Sequence, residues 1–127
     1  MLFVFLPLTA SRAGAVAADI RVPGDVKTIQ EAVTAAPAGA AVIVEPGEYK
    51  ENITLKRPLT LKSSSGPELT VITAATQTEP VVRAEDISNF TISGFTLKGS
   101  DAAGILVRNA SSGVIEFNRA TGSENVI

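Results

Sequence analysis

The stretch that decides the fold is residues 90–99, which read FTISGFTLKG. It holds two runs of the pattern apolar–Thr–apolar, residues 90–92 and 95–97, separated by Ser93 and Gly94. Alternation with a period of two is typical of β-strands that bury one face. Strands this short do not suit a sandwich of hairpins, where five or six residues are usual. They suit a solenoid, in which each coil contributes short strands and the next coil stacks on it.

Comparable apolar runs lie on both sides of this stretch, and Gly, Pro, Asn and Ser separate them. The predicted strands are residues 42–44, 53–55, 59–61, 71–72, 81–82, 105–107 and 114–115. At an offset of 23, residues 87–92 resemble residues 110–115. A second alignment, shifted by one residue, instead pairs Gly94 with Asn118. Three short strands plus turns close in roughly 20-odd residues, the size of one coil. The sequence therefore predicts an all-β parallel β-helix.

A single short helix precedes the strands. Residues 28–31 (TIQE) match a capping box, and the apolar residues at positions 29, 32, 33 and 36 form one stripe. Pro37 and Gly39 end the pattern. We predict a helix over about residues 28–36, within an N-terminal cap of residues 18–39. Residues 40–127 are then the first three to four coils.

The N-terminus predicts an export signal. Residues 2–8 are almost wholly apolar, and Ala15-Val16-Ala17 fits the small–x–small rule for signal peptidase. The apolar run is shorter than the roughly 20 residues that span a bilayer. We interpret residues 1–17 as a signal peptide of a secreted or periplasmic protein that does not span the membrane. An apolar N-terminal strand or helix of the domain is the alternative.

Composition excludes several kinds of chemistry. The 127 residues contain no Cys and no His, which removes thiolate nucleophiles, Cys or His zinc sites and Ser-His pairs. The net charge of −2 provides no basic excess for binding nucleic acid. Three Asn-x-Ser/Thr sequons begin at Asn52, Asn89 and Asn109. They could carry glycans, but their positions at predicted strand boundaries favour a role in turns.

Three segments resemble the N-terminal part of the pectin-lyase-like superfamily. They are VPGDVKTIQEAV (residues 22–33), VIVEPGEYKENI (residues 42–53) and the strand pair LTLK and TVI (residues 59–62 and 70–72). The resemblance covers about residues 20–117 and is nearest to pectin methylesterases and periplasmic β-helix repeat proteins. It implies a right-handed parallel β-helix with a short N-terminal capping α-helix.

The resemblance implies no complete catalytic site in this chain. Pectin methylesterases use two Asp, Gln residues and an Arg; here Ala102 or Ala103 stands where the first Gln is expected, and only Arg108 lies on a matching strand. The later catalytic segments would follow Ile127. A polysaccharide lyase would need acidic calcium ligands and a base. The candidates are Glu85, Asp86, Asp101 and Arg83, and Glu85-Asp86 is better explained as a solvated turn. Calcium stays open as a cofactor.

The binding candidates are Tyr49, Asp101 and Arg108. Tyr49 is the one Tyr available for stacking on a sugar, Asp101 is a candidate acidic ligand for calcium, and Arg108 lies on a strand similar to one of the family. We expect a polysaccharide-binding segment, or the N-terminal part of a pectin-active protein. A non-catalytic periplasmic scaffold or maturation factor, or an adhesin-like solenoid, is the alternative.

No polar cap follows residues 122–127, which look like the start of another strand. We therefore expect the chain to be the N-terminal part of a longer protein. An uncapped coil exposes strand edges, so end-to-end self-association through the C-terminal coil is a further expectation.

Overall fold

The computed structural model describes residues 19–121, which form a parallel β-helix with one short helix. The predicted signal peptide, residues 1–17, and residues 122–127 lie outside the described residues. The elements are β1 (Ile20–Val22), α1 (Ile29–Ala35), β2 (Ala41–Val44), β3 (Gly47–Lys50), β4 (Ile53–Leu55), β5 (Thr60–Ser63), β6 (Thr70–Thr73), β7 (Val82–Glu85), β8 (Thr91–Ser93), β9 (Thr96–Lys98), β10 (Ile105–Arg108), β11 (Val114–Glu116) and β12 (Arg119–Thr121).

The strands form three sheets, and every pairing between strands is parallel. Sheet A has the order β1-β2-β5-β8-β11, sheet B has β12-β9-β6-β3, and sheet C has β10-β7-β4. From β2 onward the chain visits sheets A, B and C in rotation. Each strand pairs with the strand at the same position in the neighbouring coil, as in β2 with β5 and β5 with β8. The prediction of a parallel β-helix is confirmed.

Like residues stack over like in the interior. In sheet A, Val42 lies in register with Leu61, which lies in register with Ile92. All three are fully buried. Equivalent ladders run through sheet B (Ile72, Leu97) and sheet C (Ile53, Val82, Ile105). Removing this apolar surface from water, at about 25 cal/mol per Å², is the main stabilising contribution.

The last two coils repeat at 23 residues. Val82 pairs with Ile105, Thr91 with Val114 and Thr96 with Arg119. The shift that pairs Gly94 with Asn118 is therefore wrong. Turn geometry explains the offset, because Gly94 and the residue 23 positions later, Phe117, both have left-handed backbone, at φ 89° and 57°.

Helix α1 covers the N-terminal end of the coils and packs against β1, β2 and β4. Seven residues are too few to hold a helix in isolation. Its N-terminus is held by two side chains: Thr28 Oγ1 accepts from the Glu31 N–H, and the Glu51 carboxylate accepts from the Ile29 and Gln30 N–H groups at 2.9 and 3.0 Å. Glu31 reaches back to the Thr28 hydroxyl, at 3.1 Å, and not to the Thr28 backbone N–H that a capping box would use.

A side-chain amide completes the edge of sheet C. Gln30 Oε1 accepts from the Thr54 N–H at 2.8 Å, and Gln30 Nε2 donates to the Thr54 carbonyl at 3.2 Å. Thr54 lies in β4, the edge strand of that sheet. At the other end of the helix, Arg57 Nη1 donates to the carbonyls of Thr34 and Ala36 at 2.9 and 2.7 Å. The helix and the first coil therefore satisfy each other's unpaired backbone groups.

We expect Gln30→Ala to lower the free energy of unfolding by about 1–3 kcal/mol, because it leaves the N–H and C=O of Thr54 without partners at a half-buried edge. Urea denaturation followed by circular dichroism measures the change. Thr34→Ala is the matched control, since the exposed Thr34 hydroxyl contacts the same Gln30 amide at 3.1 Å. A Gln30→Ala loss no larger than that of the control would contradict the edge-completing role.

One buried polar group is unsatisfied. Thr70, at the start of β6, is fully buried, and its hydroxyl has no hydrogen-bond partner within residues 19–121. A buried hydroxyl without a partner costs about 1–3 kcal/mol.

We therefore expect Thr70→Val, which keeps the shape and removes the hydroxyl, to raise the free energy of unfolding by about 1 kcal/mol. Thr70→Ser keeps the hydroxyl, loses a methyl group and should lower it by about 1 kcal/mol. Thermal and urea melts of both variants measure the difference. The explanation fails if the Val variant is no more stable than the Ser variant.

Candidate functional site

The outward side chains of sheet C form the candidate site. Thr54, Arg83 and Leu106 are in register on the three strands, and Glu85 is in register with Arg108. We call these five residues the sheet C face. They point outward because their neighbours along each strand, such as Val82 and Ala84, are buried in the interior. Adjacent strands place successive side chains about 4.8 Å apart along the axis.

Alternating charges connect the face. Arg83 Nη2 lies 2.7 Å from Glu79 Oε1, and Arg83 Nη1 lies 3.3 Å from Glu85 Oε2. The same Glu85 oxygen lies 3.0 Å from Arg108 Nη1. The Arg108 side chain is 67% exposed, so water screens this pair and its contribution to stability is small. The Arg108 guanidinium can therefore exchange this carboxylate for that of a ligand at little cost, whereas Arg83 is 26% exposed and more firmly paired.

A well-anchored loop borders this face. Asn52, just before β4, accepts at Oδ1 from the Thr76 N–H at 2.6 Å and donates from Nδ2 to the carbonyls of Thr76, Glu79 and Pro80. In the next coil, the Ser100 hydroxyl donates to the Glu79 carbonyl at 2.7 Å. These contacts hold Glu79, and through it Arg83, beside the strand ends.

The three predicted binding residues are not brought together. Arg108 is on the sheet C face. Asp101 is exposed in the β9–β10 connection, where its N–H donates to the Gln77 carbonyl at 2.8 Å. Tyr49 is in β3 of sheet B, at the inward register position that Ile72 occupies in the next coil. Within residues 19–121, no ion pair joins Asp101 to Arg108.

Tyr49 covers an end of the interior. Its ring packs against the core, and its hydroxyl donates to the Glu45 carbonyl at 2.7 Å. Burial raises the pKa of the phenol, and the negative charges of Glu45 and Glu51 raise it further. A role for Tyr49 in stacking on a sugar stays a prediction.

Acidic residues are dispersed over this part of the chain. In residues 19–121 no group of three or more Asp and Glu is arranged to hold a metal ion. Glu85 points outward into the ion pairs, whereas Asp86 adopts left-handed backbone at φ 58° and accepts from Asn109 Nδ2 at 2.6 Å. Of the two positions where the resemblance expects a Gln, Ala103 is buried and Ala102 is half-buried. No helix between residues 19 and 121 is long and apolar enough to cross a membrane.

Sequence reasoning gave no specific contact for several residues that hold neighbouring elements together. Gln30, Glu51, Asn52 and Arg57 all bind backbone groups of a neighbouring element. The signal that could have found Asn52 and Glu51 is the position of amide and carboxylate side chains immediately before the buried strand β4. The bond partners, 21 to 28 residues away, leave no local pattern.

Taken together, the stacked interior ladders, the helix over the first coil and the open sheet C face define a parallel β-helix with a short N-terminal helix. No family model matches the sequence, and no curated protein matches it. Among solved structures, the chain is similar to a mutant pectin methylesterase crystallised in complex with a hexasaccharide. The TM-score is 0.64 at 19% sequence identity, and the alignment covers 80% of this chain.

This likeness shows the fold. The predicted fold, a right-handed parallel β-helix with a short N-terminal helix, is confirmed. The chain spans 42% of the length of that esterase.

Proposed function

We propose that this chain is an exported β-helix segment, related to pectin-active proteins, that binds an acidic polysaccharide along the sheet C face. The observation that carries the proposal is the placement of Arg83 and Arg108 on adjacent strands of one outward face. Export rests on the predicted signal peptide of residues 1–17.

An extended polymer lying along the axis would meet the two guanidinium groups in succession. Guanidinium groups pair well with carboxylates, since they present two parallel N–H donors. A uronan carries such carboxylates along its length. Glu79 and Glu85 hold the arginines in place until a ligand competes for them. We assign no catalytic residue to this segment and propose that binding needs no cofactor.

The similarity to a pectin methylesterase supports a carbohydrate ligand by fold alone. Asp101 lies in the connection that precedes β10 and not on a strand of the face, and we propose for it a flanking contact with polymer hydroxyl groups. Tyr49 is on another sheet and is left out of the proposed surface.

Binding to immobilised polygalacturonate tests the proposal. We expect binding with and without calcium, weakened by salt because the contacts are between charges. The double variant Arg83→Gln/Arg108→Gln should bind at least about tenfold more weakly, since it loses two charge-assisted contacts.

The matched control is Arg119→Gln, which neutralises an exposed arginine on sheet B. Melting temperatures exclude unfolding as the cause of any loss. Equal weakening by the control, or equal binding to a fully methyl-esterified polymer, would argue against the sheet C face. Absence of binding to every uronan would favour the scaffold or adhesin-like alternative.

We also propose that the last described coil associates with the same coil of a second copy. Val107, Val114 and Phe117 are 40%, 45% and 77% exposed, although they are large and apolar. Within residues 19–121, β11 and β12 pair on one side only, while α1 packs over the opposite end of the coils. Two such edges related by a twofold axis can pair with each other, which closes the assembly at a dimer.

Light scattering at increasing concentration tests the association. Phe117→Asn removes exposed apolar surface and suits the left-handed backbone at that position, so it should reduce dimer formation without lowering stability. Leu69→Asn is the control, because Leu69 is 58% exposed in the connection before β6. A monomeric wild-type chain at all concentrations, or an equal effect of the Leu69 variant, would contradict the proposal.

A further inference from the structure

The three sequons look alike in sequence but hold very different amides in the fold. Asn52 precedes β4, Asn89 precedes β8 and Asn109 follows β10. The atom that accepts a sugar is Nδ2, and after modification it keeps one N–H and carries a bulky group. What each Nδ2 does in the folded chain therefore decides whether the sequon can be used.

Both the nitrogen and the oxygen of the Asn52 side-chain amide form hydrogen bonds within the fold. Nδ2 donates to the carbonyls of Thr76, Glu79 and Pro80 at 3.1, 3.3 and 3.0 Å, while Oδ1 accepts from the Thr76 N–H. A sugar on this nitrogen would occupy the position of the loop that the amide holds. It would also leave carbonyl groups of the loop without their donor.

Asn109 is an intermediate case. It is exposed, and its Nδ2 donates one hydrogen bond, to Asp86 Oδ1 at 2.6 Å. A sugar on this nitrogen would crowd the Asp86 side chain, although one N–H would remain to donate. Modification there costs a surface contact, and no loop depends on it.

Asn89 is different from both. It is exposed in the turn between β7 and β8, and within residues 19–121 its side chain makes no hydrogen bond. Its position is set by the main chain, because its N–H donates to the Ser111 carbonyl at 3.0 Å and the next residue, Phe90, is buried. Its φ of 56° is a conformation that Asn adopts more readily than most residues. The turn therefore presents Nδ2 to solvent without using it.

We propose that Asn89 is a glycan-acceptor site of the folded domain, and that Asn52 is a structural residue whose sequon is closed by folding. In the transfer, Asn89 Nδ2 bonds to the anomeric carbon of a diphosphate-activated sugar. The bond from that carbon to the diphosphate oxygen breaks, the diphosphate leaves, and Nδ2 loses a proton to a base of the transferase. The inference is independent of the sheet C face.

The test uses the purified, folded chain and a soluble asparagine glucosyltransferase with UDP-glucose, so that export plays no part. Tandem mass spectrometry measures the rate of hexose incorporation at each sequon. Peptides with the three sequons provide the unfolded reference rates. We expect Asn89 to react within a few-fold of its peptide, and Asn52 at least about 100-fold more slowly than its own, since reaction there requires local opening of the loop.

Two substitutions give a readout that does not depend on the transferase. Asn89→Asp tolerates the same turn and should leave the melting temperature unchanged, whereas Asn52→Ala should lower it. Protection of Asn89 equal to that of Asn52, or unhindered modification of Asn52 in the folded chain, overturns the inference. Equal melting temperatures for the two variants would overturn the structural role proposed for Asn52.

Discussion

In a parallel β-helix every strand obtains its backbone partners from the coils above and below, so the first coil must find partners of another kind. Here the side chain of Gln30 supplies them, pairing with both backbone groups of Thr54 as a neighbouring strand would. In turn, the side chains of Glu51 and Arg57 bind backbone groups at the two ends of α1. A helix of seven residues and an edge strand of three, each too short to persist alone, thereby stabilise each other.

Short apolar runs were enough to predict the fold, because inward positions of a β-helix must be apolar in coil after coil. Runs such as residues 53–55 and 95–97 coincide closely with β4 and β9. Three strands were not predicted: β1 lay inside the predicted N-terminal cap, and β3 and β12 lack the pattern for a physical reason. In β3 only Tyr49 points inward, and in β12 only Ala120 does, so neither shows the apolar alternation that marks a strand. The 23-residue repeat was visible, but the register needed the turn geometry at Gly94.

The candidate site was only partly predictable. Arg108 was identified through the resemblance, whereas its ion-pair partner Glu85 lies a full coil away and was interpreted as part of a solvated turn. Asn52 illustrates the general difficulty. Its sequence context describes a sequon, while its function in the fold depends on a loop 24 to 28 residues later. Polar side chains in a solenoid act mainly between coils. Their partners are therefore far away in the sequence, and no local sequence pattern reveals the contact.

The separation between interior and exterior explains how one scaffold can carry different chemistries. Strand alternation assigns Val82 and Ala84 to the core and Arg83 and Glu85 to the outside, so the ladders constrain one set of positions and leave the other free. Exchanging an exposed outward residue such as Arg108 costs little, because water screens its ion pair. The spacing of the outward groups along the axis is nevertheless fixed, because the separation of neighbouring hydrogen-bonded strands sets it. A regular row of guanidinium or carboxylate groups on such a face matches a ligand that is itself a regular polymer better than it matches a compact one.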